Sequence, residues 1–307
     1  MPHIVDQMIV LTLLTLLGFV CFKTGIMNEM ANKYFSKLII SIMCPAIIID
    51  SVVNMHHEES QSTVLLVFAA AIILYLILPI LSKICCKIFG VETSQAKLYE
   101  AMLVFSNVGF MGIPVVQAVY GNSAIFYLSI FIFVYNMFVF TYGTYLVSQG
   151  ATERKFLIKD TFNAAVIGSL LGIVLYFLHI KPPATVCTAI GMIGQTTTPL
   201  AMIVIGSTLG STPIKTIFNV RKLYFMSIVK LLLLPIAVRF IFALFIHDPV
   251  ILGVCVIVAG MPVASNLVML CNQYGGDSAL LAKGSFMTTV LSVFTIPLVA
   301  WFAIMPM

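Results

Sequence analysis

Charge is what this sequence most lacks. Of its 307 residues only 9% are charged, sixteen basic and eleven acidic, against 61% hydrophobic. An ordinary soluble domain carries about 25% charged residues and about 45–50% apolar ones. With a mean hydropathy of +1.11, there is too little polar surface to clothe a water-facing globule, so the solvent must be a bilayer. The net charge of +5 never gathers into a basic stripe, which excludes nucleic acid as a partner. No G-x-x-x-x-G-K-[ST] run is present, which excludes a P-loop pump. His3, His56, His57, His179 and His247 fall at segment ends or loops, without H-E-x-x-H and without a mid-membrane pair of aspartates. An intramembrane enzyme is therefore not expected. The seven cysteines have no metal-ligand spacing and read as small apolar residues, so neither metal nor cofactor is expected.

What is there is long apolar runs. A spanning helix needs about 20 mostly apolar residues. Polar clusters divide the chain into ten stretches, near 5–22, 34–55, 62–82, 96–119, 123–148, 161–179, 185–210, 222–246, 250–273 and 279–304. The first is preceded by Pro2, His3 and Asp6 rather than by basic residues, and Lys23 follows it, so it reads as a helix and not a cleaved signal. Alternate loops carry Lys23, Lys33 and Lys37; Lys83, Lys87 and Lys97; Arg154, Lys155 and Lys159; Lys215, Arg221 and Lys222; and Lys283. The opposite loops carry Lys181 alone. Positive charge marks the cytoplasmic side. Both termini are thus expected to be extracytoplasmic, in a multi-pass protein of the cell membrane.

Prolines and glycines recur between the halves. A shift of 154 residues sets Leu17-Gly18 on Leu171-Gly172, Pro45 on Pro199 and Tyr120-Gly121 on Tyr274-Gly275. Pro79 meets Pro235 at a shift of 156, and Pro114 meets Pro262 at 148. Five helices per half force the second half upside down relative to the first, the inverted-repeat plan of secondary transporters. The expected organisation is a first repeat over 1–148, a cytoplasmic linker over 149–160 and a second, inverted repeat over 161–307.

Two stretches combine glycine, proline and amides at mid-depth. The fourth reads Ser106-Asn107-Val108-Gly109-Phe110-Met111-Gly112-Ile113-Pro114, and the ninth Ala259-Gly260-Met261-Pro262-Val263-Ala264-Ser265-Asn266. Proline removes a donor and clashes with the preceding turn. Freed backbone groups cost several kcal/mol in hydrocarbon unless protein, water or a ligand satisfies them. Such breaks belong in the interior, where half-helix N-termini suit a carboxylate. Pro79, Pro235 and Pro297 read instead as plain kinks.

These stretches resemble the signatures of the auxin efflux carrier family. The resemblance rests on Asn107-x-Gly109-Phe-x-Gly112-x-Pro114 with Tyr120-Gly121, Thr198-Pro199-Leu200 with Gly206, Lys230 before Leu-Leu-Leu-Leu-Pro235, and Met261-Pro262 leading to Tyr274-Gly275-Gly276-Asp277. It implies an all-α membrane protein of ten transmembrane helices in two inverted five-helix repeats, distantly similar to bile acid sodium symporters, with helices four and nine broken and crossing. Helices one, two, six and seven would form a dimerising scaffold. Helices 3–5 and 8–10 would form a transport domain that moves as an elevator. The implied cargo is a small organic anion, malate-like, malonate-like or auxin-like. The short stretch between helices five and six is similar to that of compact microbial members. A sodium-coupled symporter of the bile acid type is the alternative, a channel or receptor a more distant one. The coupling ion, proton or sodium, stays open.

Candidate substrate-binding residues are Asn107, Gly109, Gly112 and Pro114 at the first break; Gly260, Pro262, Ser265 and Asn266 at the second; and Pro45, Thr198 and Pro199 on the scaffold side. An amide offers donors to a carboxylate without a permanent buried charge. For Asn107 an interhelical hydrogen bond is the plainer alternative, and for Asn136 a structural bond to the crossing is the expected role. The hydroxyls of Thr196, Thr197 and Thr198 are as readily spent on their own preceding carbonyls. Lys230 lies within the eighth stretch, a candidate for charge balance or coupling, with snorkelling to the cytoplasmic surface as the alternative. The resemblance implies an acidic partner on the third helix, yet 62–82 holds no Asp or Glu; Glu100 is the substitute if geometry allows. Asp50 is expected to be solvated near the outer interface.

Overall fold

The computed structural model describes residues 2–53, 60–148, 164–178, 182–211, 220–273 and 278–304. The expected linker 149–160, the Tyr274–Asp277 motif and the cations Arg154, Lys155, Lys159, Lys181 and Lys215 lie outside the described residues. Among those described the chain is all helical, with one isolated antiparallel bridge and no strand. Six helices are long and apolar enough to cross a membrane: Glu29–Ser51, Ser62–Ile88, Ser123–Val147, Ala184–Ser211, Arg221–Phe242 and Ser278–Ile304. Shorter apolar helices run over Ile9–Lys23, Val108–Tyr120 and Pro249–Gly260. Leu65, Phe240, Leu244, Phe245 and Phe294 are each two-thirds or more exposed. In water such side chains would be a liability, but in lipid they are the natural exterior.

Local chemistry sets several helix ends. The Asn28 side chain accepts from the Ala31 amide at 2.8 Å, and Asp248 accepts from Val250 and Ile251 at 2.8 and 2.9 Å ahead of Pro249. Gly121, at a φ of 81°, ends Ile113–Tyr120 in a conformation that side-chain-bearing residues resist. Three prolines follow a widened, π-type turn: Ile39–Met43 precedes Pro45, Val108–Gly112 precedes Pro114, and Val229–Leu233 precedes Pro235. The extra residue in the turn relieves the clash of the ring with the carbonyl behind it. Pro79 and Pro297 sit inside continuous helices.

The chain divides into two compact units. The first comprises Met1–Val67, Gly109–Phe133 and Phe162–Thr212. Small residues let its backbones touch, as membrane helices require. A methyl group on Gly18 would strike the Ile203 carbonyl, and one on Gly206 would strike that of Thr15, so helices 2–23 and 197–211 lie in direct main-chain contact. Gly168 faces Pro45, Gly194 faces Ile47 and Gly191 faces the Asp50 carboxylate. Asp50 is therefore buried within the unit, 6% exposed, rather than solvated at an interface.

The second unit comprises Phe68–Val108, Val134–Thr161 and Pro213–Met307. Its centre is Pro249–Gly260, in which every residue from Ile251 to Gly260 is buried. Gly260 abuts Val299 and Pro235, and Gly284 abuts Met102.

Candidate functional site

The two mid-depth interruptions lie in the second unit, and each repairs the other. Helix Thr93–Val104 stops at Phe105, which turns extended at φ −96° and ψ 110°. Helix Pro249–Gly260 stops at Met261, extended at φ −69° and ψ 149°. The freed segments pair antiparallel at Ser106 and Val263. The Asn107 amide donates to the Pro262 carbonyl at 2.8 Å, and the Ala264 amide to the Phe105 carbonyl at 3.1 Å. Val263 is held from the side, its amide donating to Thr288 Oγ1 at 3.1 Å and its carbonyl accepting from Ser285 Oγ at 3.2 Å. These bonds supply what hydrocarbon cannot. In the ninth stretch the interruption falls at Pro262, as its composition suggests. In the fourth it falls at 105–107, upstream of Pro114, because the widened turn already accommodates that ring.

Lys230 is fully buried, and its ammonium donates to the Leu103 carbonyl and to Ser106 Oγ, each at 2.7 Å. In an unbroken helix Leu103 would accept from the Asn107 amide, four residues on. That amide is committed to Pro262, so the lysine takes its place at the C-terminal end of the half-helix, where the dipole favours a cation. Snorkelling is thus set aside. Among the described residues both partners of Lys230 are uncharged. Glu100 does not pair with it: the Glu100 carboxylate accepts from the Tyr142 hydroxyl and lies 3.8 Å from the ammonium of Lys83. The other cation of the eighth stretch, Arg239, donates to the Ala303 carbonyl at 3.1 Å and covers the Phe302 ring at 4.9 Å.

Around the pairing, Asn107 and Asn266 are half-buried, Ser265 is exposed, and Gly260 and Pro262 are buried. Asn136 is buried at 3% exposure. Tyr135 beside it donates its hydroxyl to Asn266 Oδ1 at 2.8 Å. The paired segments thus carry amides and a hydroxyl, and their neighbouring Leu103 carbonyl and Ser106 hold the buried Lys230, to which no acidic group is bonded among the described residues. Such a surface suits an anion.

The remaining candidates lie in the first unit. Gly109 is half-buried with open space where a side chain would stand, Gly112 closes the widened turn, and Pro114 opens helix Ile113–Tyr120. Pro45 packs on Gly168, a structural contact. Thr198 Oγ1 donates to Gln117 Oε1 at 2.5 Å, and Gln117 Nε2 to Asn122 Oδ1 at 2.7 Å. Pro199 follows, half-buried. Thr196 spends its hydroxyl on the Ile193 carbonyl at 2.6 Å, whereas that of Thr197 is buried without a hydrogen-bond partner among the described residues.

Sequence reasoning passed over Ser106, Ser285, Thr288, Tyr135 and Gln117. Ser285 and Thr288 offered a faint signal, two hydroxyls one helical turn apart in an apolar run. Ser106 and Tyr135 each adjoin an asparagine that was singled out. Gln117 offered none beyond being an amide three residues past Pro114.

Comparison with known proteins bears on this geometry. The family described as membrane transport protein matches residues 3–155 and 147–300. The chain is 24% identical to an uncharacterised transporter of Methanocaldococcus jannaschii over 96% of its own length and 97% of the relative's. It is 23% identical to a candidate malonate transporter of Rhizobium meliloti over 62% of each chain. A third relative, an uncharacterised transporter of Methanothermobacter thermautotrophicus, is 22% identical over 93% of each.

Proposed function

Because the chain belongs to the membrane transport protein family, whose members are auxin efflux carrier-like, we propose that it is a secondary transporter of small organic anions, dicarboxylates of the malonate and malate class first among them. The observation that carries this reading is the buried Lys230 ammonium at the paired breaks, beside half-buried asparagines and without an acidic partner among the described residues. A buried lysine in a membrane protein is costly, roughly 2.5–3.5 kcal/mol on insertion scales, and is retained where function uses it. The name of the Rhizobium relative supports malonate as the first probe.

The mechanism proposed is alternating access by ten spanning helices in two inverted repeats, with both termini outside the cell membrane. Six helices long enough to span, three shorter apolar ones and helix Ala164–Leu178 fall one in each of the ten apolar stretches, which supports that count. The grouping of residues 1–67 with 162–212 in one compact unit, to which 109–133 also belong, supports a scaffold built on helices one, two, six and seven. An elevator motion of the other helices and a homodimer through the scaffold complete the proposal.

The test is counterflow in liposomes holding the purified protein, loaded with unlabelled malonate and presented with labelled malonate, malate, acetate and indole-3-acetate in turn. Saturable exchange of a dicarboxylate supports the reading. Absence of exchange for every acid, with and without sodium and pH gradients, sets it aside.

A further inference from the structure

Two exposed stripes run side by side in the second unit and end in one cluster of charge. On helix Gln61–Ile88, Leu76, Ile80, Ile84 and Ile88 recur every four residues, and each is half or more exposed. That spacing sets them on one face. Lys83 and Lys87 emerge beside them, both exposed. On helix Ser123–Val147, Met137, Thr141 and Tyr145 recur in the same way and are exposed as well. The two helices lie against each other. Tyr75 stacks on Phe138 at 5.6 Å, and about two turns along, the Lys83 ammonium covers the Tyr142 ring at 5.8 Å.

At the charged end Tyr142 and Tyr145 form a stacked pair, with centroids 6.1 Å apart and planes 24° from parallel. Each ring carries a cation: Lys83 on Tyr142, and Lys97, from helix Thr93–Val104, on Tyr145 at 4.5 Å. A tyrosine face holds an ammonium in place without neutralising it. Glu100 is buried, accepts from the Tyr142 hydroxyl and lies 3.8 Å from Lys83. Glu92, ahead of the same helix, is engaged by Lys222 at 3.7 Å. Among the described residues Lys97 pairs with no acid. Lys83, Lys87 and Lys97 thus leave a surplus of positive charge where the apolar stripes end.

We propose that this cluster binds one anionic phospholipid, its headgroup held by Lys83 and Lys97 and its acyl chains laid along the two stripes. The stripes favour a lipid over a soluble phosphate, which would gain nothing from apolar surface. The surplus charge favours an anionic headgroup over a zwitterionic one, which brings an ammonium of its own. Tyrosine, apolar in its ring and polar at its hydroxyl, suits the level where acyl chain meets headgroup. The inference stands apart from the choice of cargo and needs only that the chain lies in a membrane.

The experiment mixes purified protein in detergent with equal amounts of phosphatidylglycerol and phosphatidylcholine and counts the retained lipids by native mass spectrometry. Wild type is expected to retain phosphatidylglycerol about tenfold over phosphatidylcholine. Lys83→Gln with Lys97→Gln removes both charges but keeps most of each stem, and should bring the ratio within about twofold of unity. Lys83→Arg with Lys97→Arg should keep the preference, as should Lys33→Gln with Lys37→Gln, which removes two exposed cations of the first unit. A wild-type ratio near one overturns the proposal. So does a preference that survives the paired glutamines at 83 and 97, or one that falls as far with those at 33 and 37, since general surface charge would then account for it. Glycerol phosphate at millimolar concentration should displace no lipid; displacement would reassign the cluster to soluble phosphates. Thermal unfolding in detergent identifies a misfolded variant. Tyr145→Leu, which removes the ring under Lys97, then serves in its place and should lower the ratio about threefold; an unchanged ratio there overturns the proposal too.

Discussion

Lys230→Met is the most informative single change in this protein. Methionine keeps most of the length of the lysine stem and removes only the charge and its donors. Two bonds from an ammonium are lost, each contributing about 1.5–3 kcal/mol, while relief of the buried charge returns several kcal/mol. Stability should therefore move by no more than about 2 kcal/mol. Transport should move more. The ammonium touches Ser106, and Ser106 adjoins Asn107, so a carboxylate on the Asn107 amide would stand on the order of 9 Å from the charge. At an effective dielectric of about 20 that attraction is about 1.8 kcal/mol, roughly twentyfold in affinity. The expected outcome in liposomes is thus a KM for malonate raised about ten- to twentyfold, with a detergent melting profile close to wild type. A wild-type KM would refute the electrostatic reasoning even if the maximal rate fell; Lys230 would then serve only to cap the half-helix that ends at Val104.

Three other changes probe other parts of the structure. Glu100→Gln should leave malonate KM within about twofold of wild type, since the buried carboxylate serves Tyr142 and Lys83 and not Lys230; a tenfold rise would return Glu100 to the coupling machinery. Gly206→Ala drives a methyl group into the Thr15 carbonyl, and as both walls are main chain it should cost about 1–3 kcal/mol, read as a lower thermal midpoint; an unchanged midpoint would contradict the close approach. Thr198→Val removes the donor to Gln117 but keeps its shape, a loss of about 1 kcal/mol. It should slow maximal malonate uptake at least threefold with little change in melting, and undiminished uptake would mark the Thr198–Gln117 pair as purely structural.

The all-helical membrane character was legible in residue order because hydrocarbon admits so few solutions. Long apolar runs must be helices, and a run that also collects glycine, proline and asparagine must be interrupted where protein can satisfy its backbone. Ser106–Pro114 and Ala259–Asn266 declared themselves in this way. The location of the first interruption did not. Pro114 points to itself, but a widened turn absorbs the ring, and the chain opens at Phe105–Asn107, where the second break supplies carbonyl and amide partners. A one-dimensional pattern carries no record of such exchanges between residues some 150 positions apart.

The charges divide the same way. Composition alone required that so few charged residues stand at membrane surfaces or mark something internal, and it isolated Lys230 within an apolar run. Only the tertiary structure decided what Lys230 bonds, a serine and a carbonyl orphaned by the helix break. A carbonyl lacks any signature in the sequence, since every residue has one. Tyr135 and Gln117 escaped notice for a related reason: in a helix rich in aromatics, or as a lone amide, neither is distinguishable until folding sets Asn266 and Thr198 against it. Sequence determined that this chain lives in a membrane as a bundle of interrupted helices. The fold decided which atoms pair across those interruptions.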